Sequence, residues 1–165
     1  MSDSSVHIRQ ADFADPRDGA AIVTILDSYA AEPVGGGRPL SSDVRARVVP
    51  ALRDHPTSLV LLAFVDEEPV GIAVCFFGLS TFRASPLLNI HDLAVLPRHR
   101  GKGVGRELLR AAESHARRKN CCRLTLEVLD DNAPARGLYR SFGFGDVMTP
   151  GFAATRFLAK SLDGP

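Results

Sequence analysis

A glycine-rich loop between a predicted strand and a predicted helix restricts the fold of this chain more than any other feature. The strand is residues 87–95, and the helix is residues 104–119, whose apolar side chains recur at helical spacing. A further β-type segment, residues 123–128, follows the helix. This order predicts two parallel strands joined by a crossover helix. The loop at the centre of this α/β unit carries a glycine at every second position: Gly101, Gly103 and Gly105.

The segments nearest the N-terminus predict one strand and two helices. Residues 6–10 alternate in polarity, as a strand does, and residues 20–29 carry apolar side chains at helical spacing. Residues 41–43, which are Ser, Ser and Asp, can cap a second helix. Pro50 falls inside that second helix, so we expect it to kink or split the helix.

The remaining segments extend the sheet to about seven strands. Residues 59–65 and 70–78 are rich in β-branched and aromatic side chains, and their short polar connection predicts an antiparallel hairpin. Asn132 opens a short helix with a proline in its first turn. Residues 142–145 end that helix and begin another strand, and residues 155–162 predict a last one. The predicted order is β-α-α-β-β-β-α-β-α-β-β, an α/β domain with a mixed sheet.

Length and composition indicate one globular domain spanning residues 1–165. The chain is 45% hydrophobic and 24% charged, which excludes a disordered or fibrous protein. Its longest apolar stretch is residues 70–79, far short of the ~20 residues that cross a bilayer. The polar first residues show no secretion signal. The three cysteines form neither a disulfide framework nor a metal-ligand spacing. We therefore expect a cytoplasmic protein that holds no metal and contacts no membrane.

Positive charge is concentrated around the glycine loop. Residues 97–119 hold 8 basic and 2 acidic side chains, whereas residues 1–68 hold 6 basic and 11 acidic ones. A basic run by itself is typical of a solvated helix face. Tryptophan is absent and basic and aromatic residues are not interleaved, so we expect no nucleic-acid partner.

The glycine loop has the chemistry of an anion site. Glycines let the backbone approach a ligand closely, and the helix that follows points unpaired N–H groups and its positive dipole end at the same place. The loop is neither a Walker A motif, because Gly103 rather than Ser or Thr follows Lys102, nor a Rossmann fingerprint, because Arg106 stands where that needs glycine. The expected ligand is a pyrophosphate. Four cationic side chains surround it: Arg98, Arg100, Lys102 and Arg106.

Two motifs resemble those of the GNAT superfamily of N-acetyltransferases. The first is Arg100-x-x-Gly103-x-Gly105 after a strand that ends Leu-Ala-Val-x-Pro. The second is Asn132-Ala-Pro-Ala-Arg-Gly-Leu-Tyr139 leading into Phe-Gly-Phe. The predicted order of elements matches that family along the chain. A weaker resemblance links the segment Ile-His-Asp-Leu-Ala-Val, residues 90–95, to the diamine (spermidine-type) acetyltransferases, which carry Glu where this chain has His91.

The resemblance implies a sheet that splays between strands four and five and holds acetyl-CoA in the opening. Main-chain groups of the fourth strand would align the pantetheine and the acetyl carbonyl, and the glycine loop would bind the pyrophosphate. The residues implied in cofactor binding are Leu93, Ala94, Val95, Arg98, Arg100, Gly101, Lys102, Gly103, Val104, Gly105, Arg106, Asn132 and Tyr139.

The implied reaction moves an acetyl group directly from acetyl-CoA to a primary amine. Tyr139 matches the family's general acid, which would protonate the leaving thiolate; a phenol with a pKa near 10 can donate at neutral pH. The amine must first lose a proton. His91, Asp92 and Glu127 are candidates for the base. The first two would point to opposite faces of an ideal strand, but the resemblance implies that this strand can be bulged, so strand parity does not decide between them.

The acceptor is left open by the sequence: a small amine, an amino acid, an aminoglycoside-like drug and a protein N-terminus all fit. A non-catalytic module that binds or senses acyl-CoA is the alternative from another functional class. An exposed sheet edge makes a homodimer a further expectation.

Overall fold

The computed structural model describes residues 5–145 and 158–162 of the chain. Within these residues the sheet has the order β1-β2-β3-β4-β5, with three antiparallel pairs followed by one parallel pair, β4 with β5. Two short 3-10 turns, Pro33–Gly35 and Pro97–His99, lie between larger elements. The strands and helices are β1 His7–Gln10, α1 Pro16–Ala31, α2 Ser42–Asp54, β2 Ser58–Val65, β3 Glu68–Ser80, β4 Ser85–Val95, α3 Val104–Arg118, β5 Leu124–Leu126 and α4 Ala133–Ser141.

The predicted α/β class, mixed sheet and hairpin are confirmed, but the count of about seven strands is not. Five strands are described. Residues 158–162, the described part of the expected last strand, form no strand: Leu158 and Leu162 are 85% and 89% exposed, so the segment buries no face. The other expected strand, beginning near Phe144, falls mainly on residues 146–157, outside the described ranges.

Pro50 does not split α2, contrary to the sequence expectation. The helix runs without interruption from Ser42 to Asp54. Pro50 and Ala46, whose carbonyl loses its hydrogen-bond donor, are both exposed. Water can satisfy that carbonyl, so the proline is tolerated on this side of the helix.

The sheet separates two apolar cores. One core lies between the sheet and α3, and the other lies between the sheet and the pair α1 and α2. α3 sits unusually close to β3, since a Cβ on Gly71 would lie 3.1 Å from a Val104 methyl and 3.2 Å from a Leu108 methyl. This close packing fixes the start of α3, and with it the end of the glycine loop, against the sheet.

A buried ion pair ties β1 to α1. Asp18 is 1% exposed, and both of its carboxylate oxygens accept hydrogen bonds from Arg9, at 2.5 and 2.7 Å. The main-chain N–H of Asp12 donates to the same carboxylate at 2.7 Å. The guanidinium of Arg9 also lies 4.5 Å from the ring centroid of Phe64. These contacts satisfy the buried charge and fix the N-terminal end of α1.

Candidate active site

A cleft opens where β5 separates from β4. The two strands pair only from Leu88 and Leu124 to Ile90 and Leu126, while β4 continues to Val95. The expected splay between the fourth and fifth strands is therefore present. The cleft has a volume of about 780 Å³. Its walls include Tyr29, Val34, His91, Leu93, Glu127 and Tyr139.

The main chain of β4 presents hydrogen-bonding groups to this cleft. The N–H of Leu96 donates to Val70 of β3 at 2.8 Å. Because alternate residues of an antiparallel ladder bond to the same neighbour, the main-chain groups of Leu93 and Val95 point away from β3, toward the space that β5 has left. These are the two residues implied in aligning the cofactor. The side chain of Ala94, which lies between these two residues, is buried in the core between the sheet and helices α1 and α2.

A β-bulge at His91 brings two candidate bases to one face of the sheet. Val74 pairs with Asp92 and Cys75 pairs with Ile90, so His91 is the extra residue of β4. Asp92 lies on the side of the sheet covered by α1 and α2, as its partner Val74 does. The ring of His91 stands edge-on to Phe76 of the same core, 5.5 Å between centroids. An ideal strand would have placed His91 and Asp92 on opposite faces.

The candidate bases differ in their access to the cleft. His91 is exposed and lines the cleft. Asp92 is half-buried behind it; burial raises the pKa of its carboxyl group, and the positive charge of His91 lowers it. Glu127 follows the last residue of β5, is exposed, and lines the opposite wall. A proton acceptor must reach the amine, which favours His91 and Glu127 over a direct role for Asp92.

Tyr29 belongs to the site although the sequence analysis treated it only as an apolar position of the first helix. It lies near the end of α1 and lines the cleft. Burial raises the pKa of its phenol, and the charges of Asp92 and Glu32 raise it further. The helical spacing of residues 20–29 does not indicate that Tyr29 lines the cleft, because core-facing and cleft-facing residues lie on the same face of α1.

Tyr139 faces the cleft from α4. Its ring stands edge-on to Phe144 at 5.8 Å. Burial raises the pKa of Tyr139 to about 12, with a smaller contribution from Tyr29, so the phenol is protonated at neutral pH. Asn132 caps this helix, as expected: its side-chain oxygen accepts from the N–H of Ala135 at 3.3 Å. The cap fixes the start of the helix that carries the phenol.

The glycine loop has the backbone that its sequence predicts. Gly101 and Gly103 have φ of 72° and 85°, in the left-handed region that favours glycine, and a Cβ on either would meet nothing within 4 Å. The first-turn N–H groups of α3 begin directly behind them, at Val104, whose side chain is buried in the core. A Cβ on Gly105 would lie 3.1 Å from Leu138, so this glycine lets α3 approach α4.

Three of the four basic side chains around the loop already have protein partners. Arg98 pairs with Glu68, and Arg106 donates to the hydroxyl of Ser141. Arg100 pairs with Glu32 and donates to the carbonyl of Val95 at 2.9 Å. Lys102 is exposed. The main-chain N–H groups are therefore the better-placed anion donors of the loop, and Arg98, Arg100 and Arg106 also link it to neighbouring elements.

Residues 22–144 match the acetyltransferase (GNAT) family model. The chain belongs to this family. This match confirms the resemblance drawn from the two motifs. In the described part of this GNAT domain, no helix is long and apolar enough to cross a membrane, and no cluster of three or more His, Cys, Asp or Glu residues is arranged to hold a metal ion.

Several curated relatives are acetyltransferases. Streptothricin acetyltransferase of Streptomyces lavendulae is 51% identical over 57 residues, which are 34% of this chain and 30% of that protein. Thialysine N-epsilon-acetyltransferase of Mus musculus is 28% identical over 77% of this chain and 69% of its own length. The uncharacterized N-acetyltransferase YhfO of Bacillus subtilis is 30% identical over 84% of this chain and 89% of its own. The chain covers less than two thirds of several other curated relatives.

Solved structures share the fold. A probable acetyltransferase superposes with a TM-score of 0.77 at 22% identity, covering 94% of this chain and 99% of that one. An aminoglycoside acetyltransferase solved with sisomicin, from an uncultured soil metagenomic sample, gives a TM-score of 0.72 at 15% identity, covering 94% and 97% of the two chains. At these identities the likeness establishes the architecture.

Proposed function

We propose that this protein is an N-acetyltransferase that moves the acetyl group of acetyl-CoA to a primary amine. The observation that carries the proposal is the cleft between β4 and β5. Leu93 lines one wall, the main-chain groups of Leu93 and Val95 point away from β3, and the glycine loop follows the end of β4. Such a cleft suits an extended thiol cofactor with a diphosphate at one end. Acetyl-CoA would supply the thioester, and the chain supplies position and proton transfer.

The proposed proton transfers use groups on opposite walls of the cleft. The amine enters as an ammonium and gives a proton to His91, directly or through water, which frees its lone pair. Asp92 behind His91 stabilises the imidazolium that results. Nitrogen then bonds to the acetyl carbon, and the carbon–sulfur bond breaks as Tyr139 donates its phenolic proton to the leaving sulfur. The second proton that the nitrogen must lose to become an amide passes, through water, to the Tyr139 phenolate and restores the phenol. Holding the reactants together can contribute about 7–11 kcal/mol toward the barrier.

We propose a small cationic amine as the acceptor. A cleft of about 780 Å³ has the size typical of small-molecule sites, ~300–1,000 Å³. Glu127 adds a carboxylate and Tyr29 an aromatic face to its walls. Relatives are named for streptothricin, thialysine, aminoglycosides and the alanine of a ribosomal protein. These four classes define the panel of amines to test.

The test follows the loss of the thioester's ultraviolet absorbance when the protein, acetyl-CoA and each amine are mixed. This readout is preferred to a thiol reagent, because Cys121 and Cys122 are partly accessible free cysteines that would react with it. Acceleration by at least one amine, lost in Tyr139→Phe, supports the proposal. Tight binding of coenzyme A without turnover on any amine would instead favour an acyl-CoA-binding module.

A further inference from the structure

Glu32 ends α1 and holds the turn that follows it. Its main-chain carbonyl accepts from the N–H groups of Gly35 and Gly37, at 2.9 and 2.8 Å. Its own N–H donates to the carbonyl of Tyr29 at 3.1 Å. We call residues 32–37 the α1–α2 turn. This turn supplies Val34 to the cleft wall, directly beside Tyr29.

The side chain of Glu32 leaves its own element and reaches the glycine loop. Its carboxylate pairs with Arg100, a residue 68 positions later in the chain. The same guanidinium donates through Nε to the carbonyl of Val95 at 2.9 Å. The Glu32 side chain is only 24% exposed, so solvent screens this pair less than it screens the open ion pairs on the helices. One arginine therefore joins the α1–α2 turn, the end of β4 and the start of the glycine loop.

The three glycines of the α1–α2 turn make this link consequential. Glycine loses more conformational freedom on ordering than other residues do, so holding this turn in one arrangement costs more conformational entropy than for a turn without Gly35, Gly36 and Gly37. The ion pair between Glu32 and Arg100 anchors the turn to the glycine loop, and it therefore lowers the entropic cost of ordering the turn when the amine binds. The charge of Glu32 also reaches Tyr29, in agreement with a carboxylate close to the cleft wall.

We propose that Glu32 and Arg100 form a positioning pair that couples cofactor binding to the order of the amine-binding wall. The inference rests on the proposed function. When the glycine loop binds the diphosphate, Arg100 is held in place, Glu32 is held by Arg100, and the α1–α2 turn is held by Glu32. Thermodynamic linkage makes the effect reciprocal: cofactor binding strengthens amine binding, and amine binding strengthens cofactor binding by the same factor. Couplings of this kind are typically about 5–150-fold.

Hydrogen–deuterium exchange with and without saturating coenzyme A tests the coupling without a known acceptor. In the wild type we expect coenzyme A to slow exchange in residues 101–106 and also at the amides of Gly35 and Gly37. In Glu32→Ala, protection of residues 101–106 remains and protection of the turn is lost. Glu113→Ala is the matched control: it also removes a carboxylate from an arginine, Arg117, but within one helix. It should leave both protections unchanged.

Two outcomes separate the failure of this inference from the failure of the proposed function. If wild-type protein shows no protection of residues 101–106 and does not bind coenzyme A, the proposed function fails. If residues 101–106 are protected but Gly35 and Gly37 exchange at the same or a faster rate, the coupling is overturned, because the diphosphate then leaves the turn untouched or draws Arg100 away from Glu32. Protection of the turn that persists in Glu32→Ala overturns it as well. The wild-type comparison needs no variant, so it decides the matter even if Glu32→Ala does not fold.

Discussion

Replacing Tyr139 with phenylalanine removes one hydroxyl group and little else. The ring is half-buried and packs edge-on against Phe144 at 5.8 Å, a contact that phenylalanine keeps. The pKa of Tyr139 is raised to about 12, so at pH 8 only about one phenol in 10⁴ is ionised. The wild-type enzyme therefore has its proton donor in place over the whole working range, and the variant lacks it at every pH.

We expect Tyr139→Phe to lower kcat by about 10²–10⁴-fold, the usual contribution of a general acid, which corresponds to about 3–5 kcal/mol of the barrier. The dissociation constant of coenzyme A should not change. Rates are followed by loss of thioester absorbance with the best amine of the panel, and binding is followed by calorimetry. In addition, the wild-type rate should show no alkaline decline near pH 10, where an ordinary tyrosine ionises. A variant with a wild-type kcat would refute the role of the phenol as general acid, and a decline of the wild-type rate near pH 10 would contradict the raised pKa of Tyr139.

Four further substitutions have defined outcomes. Asp92→Asn removes the carboxylate behind His91 and should lower kcat in part, because the imidazolium loses its stabilising partner, while His91→Asn should remove most of kcat; thioester-absorbance rates with the best amine of the panel check both. Gly103→Ala forces a side chain into a backbone with φ of 85°; it should destabilise the fold by about 1–2 kcal/mol and weaken coenzyme A binding, as calorimetry would show. Asp18→Asn should lower the free energy of unfolding by about 1.5–3 kcal/mol at pH 7, measured by urea titration, because Arg9 loses its charged partner.

Each of these changes has a control or a contrary result. Gly143→Ala carries the same kind of backbone strain, at φ of 97°, outside the glycine loop and should leave coenzyme A affinity unchanged. A larger loss of kcat in Asp92→Asn than in His91→Asn would make Asp92 the base. Arg9 lowers the pKa of Asp18, so the stabilisation is complete above the carboxyl's ordinary pKa of about 4 and is lost as pH falls through the lowered value. An Asp18→Asn effect that does not diminish as the pH falls below about 4 would contradict this.

Local features of the chain are what the sequence predicts best. The β2–β3 hairpin is an example: the antiparallel pair is as predicted, although the expected four-residue connection shortens to Asp66 and Glu67, with φ of 47° and 63°. The amphipathic face of α3 and the cap at Asn132 are equally local, because each depends on residues within one or two helical turns. The glycine loop combines such a helix start with backbone that only glycine adopts easily.

Features that depend on pairing between distant segments were not predictable. The bulge at His91 arises from how β4 pairs with β3; the family resemblance raised a bulge in this strand, but the residue types of 87–95 do not locate it. The pairs Arg98 with Glu68 and Arg100 with Glu32 join segments far apart in the chain, so the sequence analysis assigned these arginines to the anion alone. We expected Pro50 to kink or split its helix, because the sequence alone does not show that the carbonyl of Ala46 is exposed to water.

The proposed function depends on main-chain N–H groups of residues 100–106 binding the diphosphate of coenzyme A through hydrogen bonds. Calorimetric titration of the wild-type protein with coenzyme A and with pantetheine, which lacks the diphosphate and the adenosine 3′-phosphate, tests this binding, and a separate titration with adenosine 3′-monophosphate measures the contribution of the nucleotide. We expect one binding site for coenzyme A and at least about 100-fold weaker binding of pantetheine, since each hydrogen bond to a charged group contributes about 1.5–3 kcal/mol. Equal affinities for the two compounds, or no binding of coenzyme A to folded protein, would contradict it.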